Sequence, residues 1–226
     1  MTPQFYKRNP VHDLLEPLRP QWRQAQGTLV AWSFQSLEAE EAVRAELALC
    51  DLSWLPRVSF KGPSAVEWLR QHGITVPTSL YEYSNGNGGT LVIRVDIQEV
   101  LVEDGPTGQD VAQLIQQHLA SPAGVYRVER QDASFLLSGA NANHVLVESC
   151  GYDFGQLGNR LVMTRVAGVS CAVLACDVAG VSAFRVWLDC SYAAYFWEAL
   201  SEIVRDHGGG VIGVASVFPA IADMQS

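Results

Sequence analysis

Asp51-Leu-Ser53 runs into Arg57-Val-Ser-Phe-Lys-Gly62-Pro-Ser-Ala65-Val-Glu-Trp-Leu69, and further along Asp132-Ala-Ser134 runs into Phe135-Leu-Leu-Ser-Gly139-Ala-Asn-Ala142-Asn-His-Val-Leu146. Both stretches place Asp-x-Ser before a short apolar run, then Gly, Ala three residues later and Leu four after that. The apolar run has the character of a strand. Gly-x-x-Ala-x-x-x-Leu has the three-then-four spacing of one helical face. A sequence that repeats such a unit has a duplicated architecture.

The segments downstream of the two units are also alike. After the first come Thr90-Leu-Val-Ile-Arg-Val95 and Glu99-Val-Leu-Val-Glu103, two strands joined by a polar turn at Asp96. A helix from Asp110 to Leu119 comes next, with Asp110 as N-cap. After the second come strands over Asn159 to Val166, Ser170 to Cys176 and Phe184 to Asp189, then a helix from Ser191 to Arg205. Each half reads strand, helix, strand, strand, helix and return strand, the split βαβ order. The expected fold is α+β, with duplicated ferredoxin-like halves whose antiparallel sheets face each other or run together.

The expected boundaries are an N-terminal arm over 1–37, a domain over 38–213 made of pseudo-repeats at about 50–130 and 131–207 by this matching, and a C-terminal tail over 214–226. Pro3, Pro10, Pro17, Pro20 and Gly27 break up the arm. Glu38 to Leu49 reads as an amphipathic helix. Ser84-Asn-Gly-Asn-Gly-Gly89 reads as a hairpin connection, since no helix follows it and it lacks the Lys-Ser/Thr of a phosphate-binding loop.

Among the 226 residues, 48% are hydrophobic and 17% charged, which excludes disorder for most of the chain. A net charge of -9 disfavours a nucleic-acid partner. No apolar leader follows Lys7 and Arg8, and Gly210 to Ala222 is too short for a membrane helix. The expectation is a cytoplasmic chain with no membrane partner. Cys50, Cys150, Cys171, Cys176 and Cys190 form no Cys-x-x-Cys pair and read as reduced, buried thiols. No histidine stands four residues from another or near a cysteine pair, so the pattern supports no metal site.

Arg165 and Arg185, taken as lying on neighbouring strands, could grip an anion if they share a face, or could pair with Asp177 and Asp189 at a sheet rim. Asp51 and Asp132 read either as a carboxylate pair gathered by the repeat or, more strongly, as local Asx-type turns. Trp187, Tyr192, Tyr195, Phe196 and Trp197 read as core. No catalytic residue can be singled out.

Glu41-Ala-Val-Arg44, Leu49-Cys-Asp-Leu-Ser53, Gly62-x-x-Ala65 and Trp68-Leu69, with the later Asp132-x-Ser134, Gly139-x-x-Ala142 and Tyr192-Ala-x-x-x-Trp197-x-x-Leu200, resemble the folate-binding superfamily of the glycine cleavage T-protein (aminomethyltransferase). With Cys150-Gly-Tyr-Asp153 and Cys190-Ser-Tyr-Ala-Ala-Tyr-Phe-Trp197, the short form is most similar to the gamma subunits of heterotetrameric sarcosine oxidases. The resemblance implies protein partners, namely flavoprotein and folate-binding subunits, with flavin held by the partners and tetrahydrofolate as the cofactor this chain could hold.

Departures from the family pattern are informative. Pro77 to Gly89 lacks the segment that carries the family's catalytic Asp, and the family's C-terminal barrel is expected to be missing. Gly180-Val-Ser-Ala-Phe184-Arg185 stands where Gly-Glu-x-Gly-Tyr-Glu would hold a pterin, so both glutamates are replaced. Cys150-Gly-Tyr-Asp-Phe-Gly-Gln156 only echoes the Lys-Gly-Cys-Tyr-x-Gly-Gln of another branch. The resemblance therefore implies a subunit without catalysis of its own in a complex oxidising N-methylated amines. The rivals are a stand-alone folate-dependent transferase, with Asp153 on the pterin edge and Arg165 or Arg185 on the glutamyl tail, and a ligand-free homodimeric module. The apolar stretch Gly210 to Phe218 could pack on another subunit or close its own domain.

Overall fold

The computed structural model describes residues 7–158, 160–219 and 221. Its elements in chain order begin with β1 (Lys7–Arg8), α1 (His12–Leu15), β2 (Gln21–Ala25), β3 (Thr28–Ser33), α2 (Leu37–Glu46) and β4 (Ala48–Asp51). Then come β5 (Arg57–Lys61), α3 (Ala65–Gln71), β6 (Tyr83–Asn85), β7 (Leu91–Asp96), β8 (Glu99–Glu103), α4 (Asp110–His118) and β9 (Tyr126–Glu129). The chain continues through β10 (Asp132–Ser138), α5 (Ala142–Ser149), β11 (Leu161–Val166), β12 (Val169–Val178), β13 (Val181–Asp189), α6 (Ala193–Asp206), β14 (Gly210–Val211) and α7 (Val214–Val217). It divides into two compact units, one of residues 55–131 and 159–161, the other of the remainder.

The 55–131 unit holds a sheet in the order β6-β7-β8-β5-β9, antiparallel throughout. That is the strand order of a split βαβ fold. Val58, Phe60, Val92, Val100 and Val102 pack with Ala65 and Leu69 of α3 and Val111 and Leu114 of α4. Arg57 and Glu103, directly opposite in the register, form a buried ion pair at 2.9 Å. The glycine-rich segment joins β6 to β7 as a hairpin connection, with Asn85 opposite Leu91. The cap of α4 differs from expectation. Asp110 is the first helical residue, and the N–H of Val111 instead donates to the carboxylate of Asp104, 3.1 Å away. Asp104 comes from the preceding loop, so spacing along the helix does not reveal it.

The other unit holds a sheet in the order β11-β12-β13-β10-β4-β14 and a small sheet β1-β3-β2. Its half also runs strand, helix, strand, strand, helix, return strand, but the two-residue return strand β14 does not lie against β10. β4, arriving from upstream, is inserted between them, antiparallel to β10 and parallel to β14. One edge of the repeat is thus completed by a segment that precedes it in sequence.

The repeat holds at the level of single hydrogen bonds. The N–H of Ala65 donates to the carbonyl of Gly62 and that of Ala142 to the carbonyl of Gly139, each at 3.1 Å. The N–H of Ser64 donates to Gly124, the carbonyl ahead of β9, and that of Asn141 to Glu46, the carbonyl ahead of β4. Gly62 and Gly139 have φ of +125° and +108°, and a Cβ on them would meet Gly124 O at 2.4 Å and Glu46 O at 2.5 Å. Strand-to-helix turns this close to a neighbouring carbonyl admit only glycine.

On one face of the six-stranded sheet, Phe135, Leu137, Val173 and Val186 pack with Val145 and Leu146 of α5 and Phe196, Trp197 and Leu200 of α6. Trp187 is also buried, whereas Tyr192 and Tyr195 at the start of α6 are exposed, so the expected aromatic core is only partly one. Gln26-Gly27, Ala167-Gly168 and Ala179-Gly180 all have positive φ, the two-residue turn geometry that matches strand twist.

The segment expected as an arm contributes β1 to β3, with Val11, Leu15 and Val30 at 1% exposure, because breakers at its turns leave apolar residues free to bury between them. The expected helix from Glu38 ends at Glu46, and Ala48 to Cys50 belong to β4. Val214, Ala215 and Val217 of the apolar tail are buried, and α7 packs on α2, β3 and β4 of its own unit. Residues 220 and 222–226 of the expected tail lie outside the described residues. None of the five cysteines is in a disulfide; Cys50 and Cys171 are buried, but Cys150 and Cys176 are half-buried and Cys190 is exposed in the turn entering α6. No helix of the described residues is long and apolar enough to cross a membrane.

Candidate functional site

The second face of the six-stranded sheet carries buried polar side chains among its apolar ones. Ser134 and Ser138 of β10 and Arg185 of β13 project there, opposite in parity to Phe135, Leu137 and Val186 of the core face. Ser134 and Ser138 are at 0% exposure and Arg185 at 5%. Arg185 Nη2 donates to Ser134 Oγ at 3.2 Å, and its guanidinium lies 5.4 Å from the centroid of Trp187. Ser138 Oγ is buried with no hydrogen-bond partner among the described residues.

Where β4 ends, Ser53 Oγ donates to Asp51 Oδ1 at 2.6 Å and accepts from the Ser134 N–H at 3.0 Å. Asp51 is therefore an Asx-type turn residue, as the stronger reading expected. Asp132 is not its counterpart. The register sets Asp132 opposite Asp189 and Asp51 opposite Phe135, about 10 Å along the strand. The turn with matching geometry is Asp189-Cys-Ser191, whose side chains meet at 2.6 Å. Sequence matching chose Asp132 because it precedes the repeat; the hydrogen bonds follow the strand ends.

Asp153, Arg165 and Arg185 do not gather. Arg165 is exposed on β11, and β12 lies between β11 and β13, which corrects the reading of neighbouring strands. The two-residue turn after Val166 sets Arg165 against Ser170, whereas Arg185 lies opposite Leu174. The two arginines share a face but are separated by about 13 Å along the strands and about 10 Å across them. Asp153 is exposed, accepts the Gly155 N–H at 2.9 Å, and precedes Phe154, which packs in the core on the opposite face. The two arginines thus do not converge on one anion. A groove of about 530 Å³ beside α6, between Leu18, Glu198, Glu202 and Arg205, includes none of them.

Neither pairing expected of the arginines is made. Asp177 accepts the Gly180 N–H at 2.8 Å, and Asp189 binds Ser191. The buried thiols are poor nucleophiles: burial, then the Asp51 carboxylate, pushes Cys50 well up, and burial pushes Cys171 up to about 11.

Sequence reasoning missed Glu40. It is at 0% exposure and accepts from the N–H groups of Phe34, Gln35 (3.1 Å) and Gly213 (3.0 Å). Nothing in the pattern separates it from Glu38 and Glu41 beside it, which are exposed.

The chain is similar to known proteins in sequence and in fold. No family model matches the chain. The chain has the fold of the T-protein-like folate-binding superfamily. It is 23% identical over 227 residues to an aminomethyltransferase of Alkaliphilus metalliredigens (strain QYMF), covering 93% of this chain and 61% of that protein. The glycine cleavage system aminomethyltransferase T from Bartonella henselae superposes with a TM-score of 0.74 at 19% identity, over 94% of this chain and 61% of that one. A chain of the heterotetrameric sarcosine oxidase from Corynebacterium sp. U-96, in complex with pyrrole 2-carboxylate, superposes with a TM-score of 0.63 at 16% identity, over 90% of this chain and 97% of that one. The chain spans about three fifths of the length of the curated aminomethyltransferases it matches.

Proposed function

We propose that this chain is a sarcosine-oxidase-gamma-like subunit, without catalysis of its own, of a cytoplasmic complex that oxidises N-methylated amines in one-carbon metabolism. Arg185 carries this reading. It stands where the family resemblance calls for a pterin-holding glutamate, and it is buried with its guanidinium on Ser134 Oγ at 3.2 Å. A guanidinium has donors only, so it cannot accept the paired N–H bonds that a carboxylate takes from a pterin edge. The likeness to a chain of a heterotetrameric sarcosine oxidase supports a role among other subunits. In such a complex the partners supply flavin and folate chemistry, and this chain supplies surface and assembly.

The test is gentle affinity purification of the tagged chain from its native host, with mass spectrometry and an absorbance spectrum. Larger flavoprotein subunits in fixed ratio and a yellow eluate are expected. A chain that elutes alone, and whose melting temperature rises with saturating tetrahydrofolate, overturns the reading in favour of the folate-dependent transferase.

A further inference from the structure

After Pro10 the chain winds into α1 and then a 3-10 turn over Glu16–Leu18. Helical winding brings residues four apart onto one face, so Glu16 approaches His12, and Asp13 reaches the same place from the next position. A ring nitrogen of His12, a carboxylate oxygen of Asp13 and one of Glu16 all lie within 4.8 Å of one another. A search for histidine and cysteine spacings overlooks this group, because two of its three donors are carboxylates.

His12 differs from an ordinary surface histidine. It is at 4% exposure, and its ring lies against Trp22 of β2 with centroids 4.3 Å apart. Its Nδ1 is buried without a hydrogen-bond partner among the described residues. A buried polar nitrogen left without a partner is costly and calls for a reason. Burial, with help from Arg8, also holds the imidazole below its ordinary value of 6.5, against the opposing pull of Glu16 and Asp13.

The carboxylates are free to adjust. Among the described residues, Asp13 is held only by an exposed ion pair with Arg8 at 3.6 Å, which water and salt weaken. Glu16 makes no side-chain ion pair or hydrogen bond among the described residues. Bonds of about 2.0–2.2 Å to a tetrahedral ion need donor atoms about 3.4 Å apart, a contraction that rotation of two exposed side chains about a fixed ring provides.

We propose that His12, Asp13 and Glu16 form a binding site for a divalent transition-metal ion, with water completing its coordination. One imidazole nitrogen and two carboxylate oxygens suit borderline ions such as Zn²⁺ and Co²⁺, and the two carboxylates balance the charge of the ion. The ion ties the start of α1 to a ring already wedged on β2.

The test is calorimetric titration of the full chain with Zn²⁺, and with Co²⁺ followed by its visible absorption. Binding of one ion per chain is expected, weakened at least ~10-fold by Glu16→Gln and abolished by His12→Gln. Glu16 is exposed, so E16Q folds even if H12Q does not. A pair of histidines beside an exposed carboxylate provides the control. His207 Nε2 lies 2.8 Å from Glu148 Oε2, and its ring centroid lies 6.4 Å from that of His144. Zn²⁺ binding that survives E16Q but disappears in His207→Gln overturns the proposal, as does the lack of any binding by the unaltered chain.

Discussion

Glu40 Oε2 accepts a hydrogen bond from the backbone N–H of Gly213 at 3.0 Å, across a sequence separation of 173 residues. The other oxygen of the same carboxylate takes the N–H groups of Phe34 and Gln35 at the exit of β3. One side chain on α2 thus joins the end of the small sheet to the turn that enters α7. The turn itself is tightly placed, since a Cβ on Gly213 would stand 2.1 Å from Trp32 O.

Glu40→Ala leaves three backbone donors without their acceptor and is expected to cost about 3 kcal/mol or more. Glu40→Gln keeps one acceptor but turns an amide donor toward a donor, so it too destabilises. Glu41→Ala, an exposed neighbour, has little effect. Urea unfolding midpoints check the order; a Glu40→Ala protein as stable as Glu41→Ala would refute the role.

Gly62→Ala and Gly139→Ala are expected to destabilise alike, because both place a Cβ within 2.5 Å of a backbone carbonyl. Gly180→Ala meets nothing within 4 Å and is the control, bearing only the strain of its φ of +77°. Losses of about 3 kcal/mol at the first two sites, against about 1 at the third, are the expected scale. Thermal melts read this as drops of roughly 10 °C and 3 °C.

Ser53→Ala removes a hydroxyl that joins Asp51 to the Ser134 N–H and is expected to cost about 1–3 kcal/mol. Ser191→Ala removes the same 2.6 Å bond from Asp189 at an exposed turn, so its loss is much smaller. Equal losses in denaturant titrations would count against burial as the source of the difference.

Two carboxylates give opposite pH dependence. Burial raises Asp104 above its ordinary 3.8, partly offset by the bond from the Val111 N–H. The native state then holds the proton more tightly than the unfolded chain. Its contribution to stability falls as pH rises from 3.8 through the raised folded value. Asp189 is lowered by the Ser191 hydroxyl and N–H, so its contribution is present above 3.8 and is lost as pH falls through the lowered value. Asp104→Asn keeps an acceptor for Val111 without a titrating proton. It should gain stability relative to the unaltered chain across the Asp104 window, as measured by urea midpoints at a series of pH values; a constant difference would contradict the assignment.

The local elements and their duplication are legible in the order of the amino acids alone. Strand alternation, the Gly-x-x-Ala turns and the apolar face of Ser191 to Arg205 depend on residues within a few positions of one another, and β7, β8, α4, β12 and α6 lie where those patterns put them. Which strand completes the second sheet is settled in three dimensions, because β4 pairs with β10 through hydrogen bonds that carry no mark in the composition of either strand. The same holds for the chemistry of single side chains. Glu40 and Glu41 are indistinguishable along the chain, yet one is buried on three N–H groups and the other faces water. Arg165 and Arg185 share a face, but the intervening β12 and the strand register keep them apart. Partners that lie far apart in sequence are chosen by the packing of whole elements, so burial and convergence become definite only when the chain has closed on itself.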